Sequence, residues 1–207
     1  MTSPSRLILA SSSPRRRELL ASLGLVYEII RPDIDERQHP GEDHIAYARR
    51  LSREKARAVA QRLPAEGVVL AADTVVILAA DTLGVTETGT LLAKPADADE
   101  ARAMLRQLRG RTHQVVTAFT LLAADSLDAP HTESVQTQVT MRDYSDAEIE
   151  AYIATGDPFD KAGGYAIQHP AFQPVAQING SYTNVVGLPL EAVSAALRRF
   201  GFSPDAV

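Results

Sequence analysis

The sequence contains no cysteine, which excludes disulfide bonds, thiolate nucleophiles and zinc sites built from cysteine. It also lacks a long apolar run near its start. The first such run, Leu7–Ala10, is far too short for a signal-peptide core or a membrane span. The five histidines show neither an HExxH motif nor a pair at i, i+4, so they are assigned no metal. We therefore expect a cytoplasmic protein that does not enter a membrane.

Positive charge is in deficit as well. The chain has 21 Lys and Arg against 26 Asp and Glu, a net charge of −5. Binding of a nucleic-acid polymer requires a basic face that neutralises phosphates, so this class of partner is not expected. A small anionic ligand in a local basic pocket fits the composition better. The length of 207 residues and the hydrophobic share of 45% predict one folded domain over residues 1–207.

Short apolar runs alternate with amphipathic stretches along the chain. The predicted strands are "RLILAS", "VYEII", "GVVLAADTVVILAA", "HQVVTAFTLLAA", "SVQTQVTMR" and "PVAQI". The predicted helices are residues 14–23, "EDHIAYARRLSREKARAVAQRL", "ADADEARAMLRQLRG", "YSDAEIEAYIATG" and "LPLEAVSAALRRFG". Residues 79–93 are predicted to form a loop rich in Thr and Gly. Helices between strands, together with two alternating segments typical of an antiparallel pair, predict an α/β fold with a mixed sheet.

The stretch "ASSSPRRRELL" breaks a local rule. Ser13 is a good N-cap and Pro14 suits the first helical position. The arginines at positions 15–17 then fall in the first turn, where the helix dipole disfavours cations. Solvated surface arginines are the simple alternative. We favour an anion site instead, because helix N-termini offer backbone N–H groups to phosphates, and Ser11 and Ser13 add hydroxyl donors.

Lys55 is the second anomaly. On a helical wheel it lies in the apolar arc, between Leu51 and Val59. Two interpretations remain open. The stem of Lys55 covers the edge of the core while the amine reaches water, or the ammonium points inward to meet a bound anion.

Asp73 stands in the apolar strand "VVLAADTVVIL". A carboxylate there is costly unless it is paired, hydrogen-bonded or bound to a metal. A structural ion pair is one explanation. We favour a carboxylate that binds a metal or activates water, because a phosphate pocket is predicted nearby. The acidic loop "DIDERQHP" offers Asp33, Asp35 and Glu36. Solvation is the simple interpretation for each of them, and a metal contact from one of them is the alternative.

Several of these segments, in order, resemble one family. They are "LILASSSPRRRELL", "DIDE", "ARRLSREKA", "AADTVV", "AKP", "YSDAEIEAYIATGDPFDKAGGYAIQ" and "INGSYTNVVGLPL". Their pattern is similar to that of the Maf family of nucleotide pyrophosphatases, over residues 7–201. The resemblance implies a two-lobed α/β fold with an elongated mixed sheet, flanking helices and a central cleft, related to the inosine triphosphate pyrophosphatases.

The resemblance also implies roles for individual residues. Asp73 matches the proton acceptor of the family. Arg15, Thr74 and Gln168 match residues associated with a preference for dTTP and UTP. The expected phosphate-binding residues are Ser11, Ser13, Arg16, Lys55 and Lys94, and Asp73 and Glu36 are expected to hold a divalent cation, Mg²⁺ or Mn²⁺.

The implied reaction is hydrolysis of a nucleoside triphosphate to the monophosphate and pyrophosphate. It serves to keep modified nucleotides out of nucleic acids and is linked to arrest of cell division. A homodimer is common in the family. The alternative is a nucleotide-binding regulator of septum formation without significant turnover. Asp73 argues against pure binding, because an unneutralised carboxylate repels the phosphates of the ligand.

Overall fold

The computed structural model describes residues 6–64, 66–78 and 89–206. Its strands are Leu7–Ala10 (β1), Tyr27–Ile29 (β2), Val68–Leu78 (β3), Thr90–Leu92 (β4), Thr112–Ala123 (β5), His131–Met141 (β6) and Val175–Asn179 (β7). Its α-helices are Pro14–Ala21 (α1), His44–Ala60 (α2), Ala98–Leu108 (α3), Asp146–Ile153 (α4), Tyr182–Val186 (α5) and Leu190–Arg199 (α6). Two short 3₁₀ helices, Asp157–Asp160 and Ala162–Gly164, follow α4.

The strands form one seven-stranded mixed sheet. Its order is β2-β1-β3-β5-β6-β7, and β4 pairs with β3 outside this path. β1 is parallel to both β2 and β3, whereas β4 is antiparallel to β3 and β7 is antiparallel to β6. The hydroxyl of Thr112 pairs with that of Thr140, and the hydroxyl of Thr120 pairs with that of Thr132. Residue numbers therefore rise along β5 as they fall along β6, which makes these two strands antiparallel. The predicted mixed α/β sheet and antiparallel pair are therefore confirmed.

The predicted loop over residues 79–93 is wrong at its end. Thr90–Leu92 forms β4, in which Leu92 lies opposite Val76. Three residues cannot display a period of two, so only the pairing partner reveals this strand. Residues 79–88 of the loop lie outside the described part of the chain.

The chain divides into two compact units. The first takes its described residues from Met1–Asp73, Thr117–Val135 and Gly187–Val207. Leu9 of β1 packs with Leu70 and with Leu197 of α6, while Ile8 packs with Val59 of α2. Neighbouring residues of a strand point to opposite faces, so β1 is buried along its whole length because helices cover both of its faces.

The second unit comprises the described residues of Thr74–Val116 and Gln136–Val186. Its core packs α3 and α4 against β5 and β6. The predicted capping box of α4 is present, since Ser145 and Glu148 bond each other's backbone. Tyr144 is fully buried and donates its hydroxyl to the carbonyl of Leu105 at 2.7 Å. No helix among the described residues is long and apolar enough to cross a lipid bilayer.

His113 and Tyr165 form a buried pair in the second unit. The Nε2 atom of His113 lies 2.6 Å from the hydroxyl of Tyr165, and the two rings meet edge to face. The Nδ1 atom of His113 is buried and has no hydrogen-bond partner among the described residues. Removal of the imidazole from water lowers the pKa of His113 to about 4.

This pair predicts a pH dependence of stability. The unfolded chain protonates His113 near pH 6.5, whereas the folded protein keeps it neutral down to about pH 4. Between these values the unfolded state binds more protons, so the free energy of unfolding falls as the pH is lowered. We expect protonation of this residue alone to lower the free energy of unfolding by about 3 kcal/mol across that window.

Urea unfolding at several pH values measures this loss. His113→Gln, which keeps a polar group for Tyr165, is expected to flatten the pH dependence between pH 6.5 and 4. The exposed His39 provides the control, and His39→Gln should leave the slope as it is. An unchanged slope in His113→Gln would contradict the assignment.

Candidate active site

The turn between β1 and α1 has the predicted N-cap. Ser13 is extended, and its side chain accepts a hydrogen bond from the backbone N–H of Arg16 at 3.4 Å. The backbone N–H of Ser13 in turn donates to the hydroxyl of Ser11, which is buried, at 3.1 Å. The two serines therefore shape the turn that presents the start of α1.

Arg16 is not a solvated surface residue. Its Nε atom donates to the carbonyl of Gly187 and its Nη1 atom to the carbonyl of Ala72, each at 2.8 Å. Burial of the guanidinium lowers the pKa of Arg16, and the negative charge of Asp73 opposes this effect. The solvated alternative is thus wrong for Arg16, which is half-buried and whose charge lies close to Asp73. Arg15 beside it is half-buried.

Lys55 and Asp73 form the centre of the site. Lys55 is 6% exposed and Asp73 is 8% exposed. The ammonium of Lys55 lies 2.8 Å from Oδ1 of Asp73 and 2.9 Å from Oε2 of Glu36. Lys55 points inward, as the second interpretation expects, but the anions that it meets in the structure are carboxylates of the protein and not a bound ligand. The ion pair considered for Asp73 is therefore present.

Four charged side chains make up this cluster. The carboxylates of Asp73 and Glu36 are offset by the ammonium of Lys55 and by the nearby guanidinium of Arg16. Glu36 differs from Lys55 and Asp73 because its side chain is 58% exposed. The donor set suits Mg²⁺ or Mn²⁺, because Mg²⁺ is usually bound by one or two carboxylates together with phosphate oxygens and water.

Within residues 6–64, 66–78 and 89–206, no group of three or more His, Asp or Glu side chains is arranged to hold a metal ion. A cation at Asp73 and Glu36 would need further ligands, of the kind that phosphate oxygens and water supply.

The other predicted site residues belong to the second unit. Thr74 directly follows Asp73 on β3 and is half-buried, while Lys94 and Gln168 are exposed. The backbone N–H of Gly163 bonds the carbonyl of Ala93 at 3.0 Å. This bond joins the glycine-rich segment that precedes Gln168 to the residue before Lys94. Gly163 has φ +73°, which side-chain-bearing residues rarely adopt.

Two residues with contacts to the site were not identified from the sequence. Tyr47 donates its hydroxyl to the carbonyl of Glu36 at 2.6 Å, and Arg50 donates to the carbonyl of Arg37 at 3.0 Å. Both lie on α2, outside the apolar arc that identified Lys55. Their acceptors are backbone atoms, which are the same for every residue type, so no residue pattern points to the contact.

Known proteins match this chain over nearly its whole length. A family model described as "Maf-like protein" matches residues 6–200. A protein named dTTP/UTP pyrophosphatase from Anaeromyxobacter dehalogenans is 50% identical over 198 residues, covering 95% of each chain. A protein of the same name from Chromobacterium violaceum is 47% identical over 205 residues, covering 97% of this chain and 98% of its own.

Two solved structures also match. A HAM1 protein from Coxiella burnetii has a TM-score of 0.43 at 21% identity, covering 67% of this chain and 73% of that one. A nucleoside-triphosphatase/dITP/XTP pyrophosphatase from Mycobacterium abscessus has a TM-score of 0.42 at 16% identity, covering 95% of both.

Proposed function

The chain belongs to the Maf family, and from this premise we propose that it is a dTTP/UTP pyrophosphatase, a hydrolase acting on acid anhydrides. The observation that carries the proposal is the 50% identity, over 95% of both chains, with a relative of that name. The carboxylates of Asp73 and Glu36 on the single ammonium of Lys55 supply chemistry suited to this reaction.

The triphosphate binds at the start of α1. Backbone N–H groups exposed there attract anions, and the serines at positions 11 and 13 shape the turn. Arg16 and Lys55 add positive charge, and Lys94 is proposed as a further phosphate-binding residue. Charge stabilisation of this kind is the main contribution that proteins make to phosphoryl transfer.

Asp73 is the proton acceptor. It orients a water molecule and removes its proton as the water oxygen attacks the α-phosphorus. The bond from the α-phosphorus to the bridging oxygen breaks, and pyrophosphate leaves with the bonding electrons. Lys55 keeps Asp73 in place through the 2.8 Å contact. Asp73 and Glu36 would hold a divalent cation, which would neutralise the charge that develops on the phosphates.

Three further residues select the substrate. Arg15, Thr74 and Gln168 distinguish the pyrimidine nucleotides dTTP and UTP from other triphosphates. Arginine, hydroxyl and amide groups can all bond the oxygen and nitrogen atoms of a base or sugar. The nucleoside triphosphate is the partner that the proposal requires, and homodimer formation stays a prediction.

Product analysis tests the proposal. The purified protein is incubated with dTTP, UTP, CTP and 7-methyl-GTP in the presence of Mg²⁺ or Mn²⁺. We expect nucleoside monophosphate and pyrophosphate from dTTP and UTP, with little turnover of the other two. A parallel assay for orthophosphate separates this reaction from that of a general phosphatase.

Each other outcome has a defined meaning. Turnover of 7-methyl-GTP in preference to dTTP would keep the reaction but contradict the roles of Arg15, Thr74 and Gln168. Binding of nucleotide without turnover of any substrate would favour the regulator of septum formation. Release of orthophosphate would contradict attack at the α-phosphorus.

A further inference from the structure

The loop that carries Glu36 is attached to α2 at two consecutive peptide groups. We infer that Tyr47 and Arg50 are positioning residues, which hold the backbone of Glu36 and Arg37 so that the Glu36 carboxylate stays beside Lys55 and Asp73. This inference deepens the proposed function and rests on it, because it concerns the metal-binding role of Glu36.

Tyr47 makes the contact nearest to the site. Its hydroxyl donates to the carbonyl of Glu36 itself, at 2.6 Å. A tyrosine hydroxyl is protonated at neutral pH, so it is available as a donor to this carbonyl.

Arg50 makes the second contact and is itself firmly held. Its Nε and Nη2 atoms donate to the two carboxylate oxygens of Glu42 at 2.7 and 2.8 Å, and Nη1 donates to Glu54 at 3.1 Å. The same Nη2 atom donates to the carbonyl of Arg37 at 3.0 Å. The guanidinium carbon also lies 5.5 Å from the ring centroid of Tyr47, so the two side chains support each other.

Glu36 needs this support for a physical reason. Its side chain is 58% exposed and its residue belongs to neither a helix nor a strand. An exposed glutamate on such a segment has freedom in its backbone and in its side chain, and placing its carboxylate on one ammonium costs the entropy of both. Fixing the peptide groups at 36 and 37 in advance removes the backbone part of that cost. Lys55 also lies on α2, so one helix carries the ammonium and holds the loop that carries Glu36.

Removal of one oxygen atom tests the inference. Tyr47→Phe keeps the ring over which Arg50 lies and deletes only the donor. We expect Mn²⁺, measured by electron paramagnetic resonance with an α,β-methylene analogue of UTP bound, to dissociate roughly threefold to tenfold more readily. Hydrogen exchange of the amides at 35–39, measured without metal, should become faster.

The matched control is Tyr144→Phe. It also deletes a tyrosine hydroxyl that donates to a backbone carbonyl, at 2.7 Å, but it touches no proposed site residue. It should lower the melting temperature and leave both Mn²⁺ affinity and exchange at 35–39 unchanged. Arg50→Lys provides a second variant that weakens the attachment of this loop to α2, because a single ammonium cannot reproduce the planar fork that spans Glu42 and the Arg37 carbonyl.

A double-mutant cycle distinguishes positioning from general damage. If Tyr47 acts through Glu36, then Tyr47→Phe has no further effect on Mn²⁺ affinity in a Glu36→Ala background. An equal loss in both backgrounds, or unchanged exchange at 35–39 in Tyr47→Phe, would overturn the inference. Failure of the wild-type protein to bind Mn²⁺ with the analogue would instead count against the proposed metal role, and the exchange result would still decide the positioning.

Discussion

Asp73→Asn is expected to lower kcat for dTTP hydrolysis by about 10²- to 10⁴-fold, the usual contribution of a general base. The amide has nearly the same shape but cannot accept the proton of the attacking water. Nucleotide affinity is expected to persist, because the substitution removes negative charge that repels the phosphates. Single-turnover assays of pyrophosphate release, paired with equilibrium binding of dTTP, measure the two quantities separately.

The matched control is Asp146→Asn. Asp146 is also an aspartate in ion pairs, with Arg106 and Arg109, but it is exposed and has no proposed role in the reaction. Its replacement should leave kcat at the wild-type value. Retention of both turnover and affinity in Asp73→Asn would mean that Asp73 serves only the ion pair with Lys55.

Lys55→Met is expected to lower the free energy of unfolding by about 3–5 kcal/mol, the usual cost of removing one partner of a buried ion pair. The remaining carboxylate of Asp73, in a residue only 8% exposed, then lacks its ammonium at 2.8 Å. The guanidinium of Arg16 lies nearby, but its Nε and Nη1 atoms already donate to carbonyl groups. Urea unfolding at neutral pH measures the loss.

The double variant Lys55→Met/Asp73→Asn makes this prediction sharper. Once both charges are gone, no uncompensated carboxylate remains in the interior, so the double variant should be less destabilised than the sum of the single variants. Lys161→Met provides a comparison for the stability loss in Lys55→Met, because Lys161 is equally buried and also bonds two carboxylates, those of Asp157 and Asp160. Additive effects of Lys55→Met and Asp73→Asn would show that the pair contributes little.

Local periodicity accounts for the parts of the fold that the sequence predicts. The apolar arc of α2, the capping box of α4 and the alternation in β5 and β6 each arise from hydrogen bonding over a few residues or across one face. These features are therefore visible in the order of residues. The mixed α/β class follows from their succession, and the resemblance of whole motifs to the Maf family predicts the activity.

The short elements required tertiary structure. β4 has only three residues and is stabilised by its pairing with β3, while α5 has only five. Isolated segments of this length are not stable in water, because the cost of ordering them exceeds the few bonds that they make internally. Their own sequences therefore carry little signal.

The same distinction between local pattern and tertiary packing applies to the candidate site. The order of residues establishes that Lys55 lies in the apolar arc of α2, that Asp73 interrupts an apolar strand and that Ser13 caps α1, because each property depends on neighbours within one helix or strand. Which groups these residues meet depends on tertiary packing: Lys55 binds Glu36 and Asp73 together, and Arg16 bonds the carbonyl of Gly187, 171 positions away. Such contacts depend on how separate elements pack, and backbone carbonyls are identical at every position, so the order of residues does not specify them.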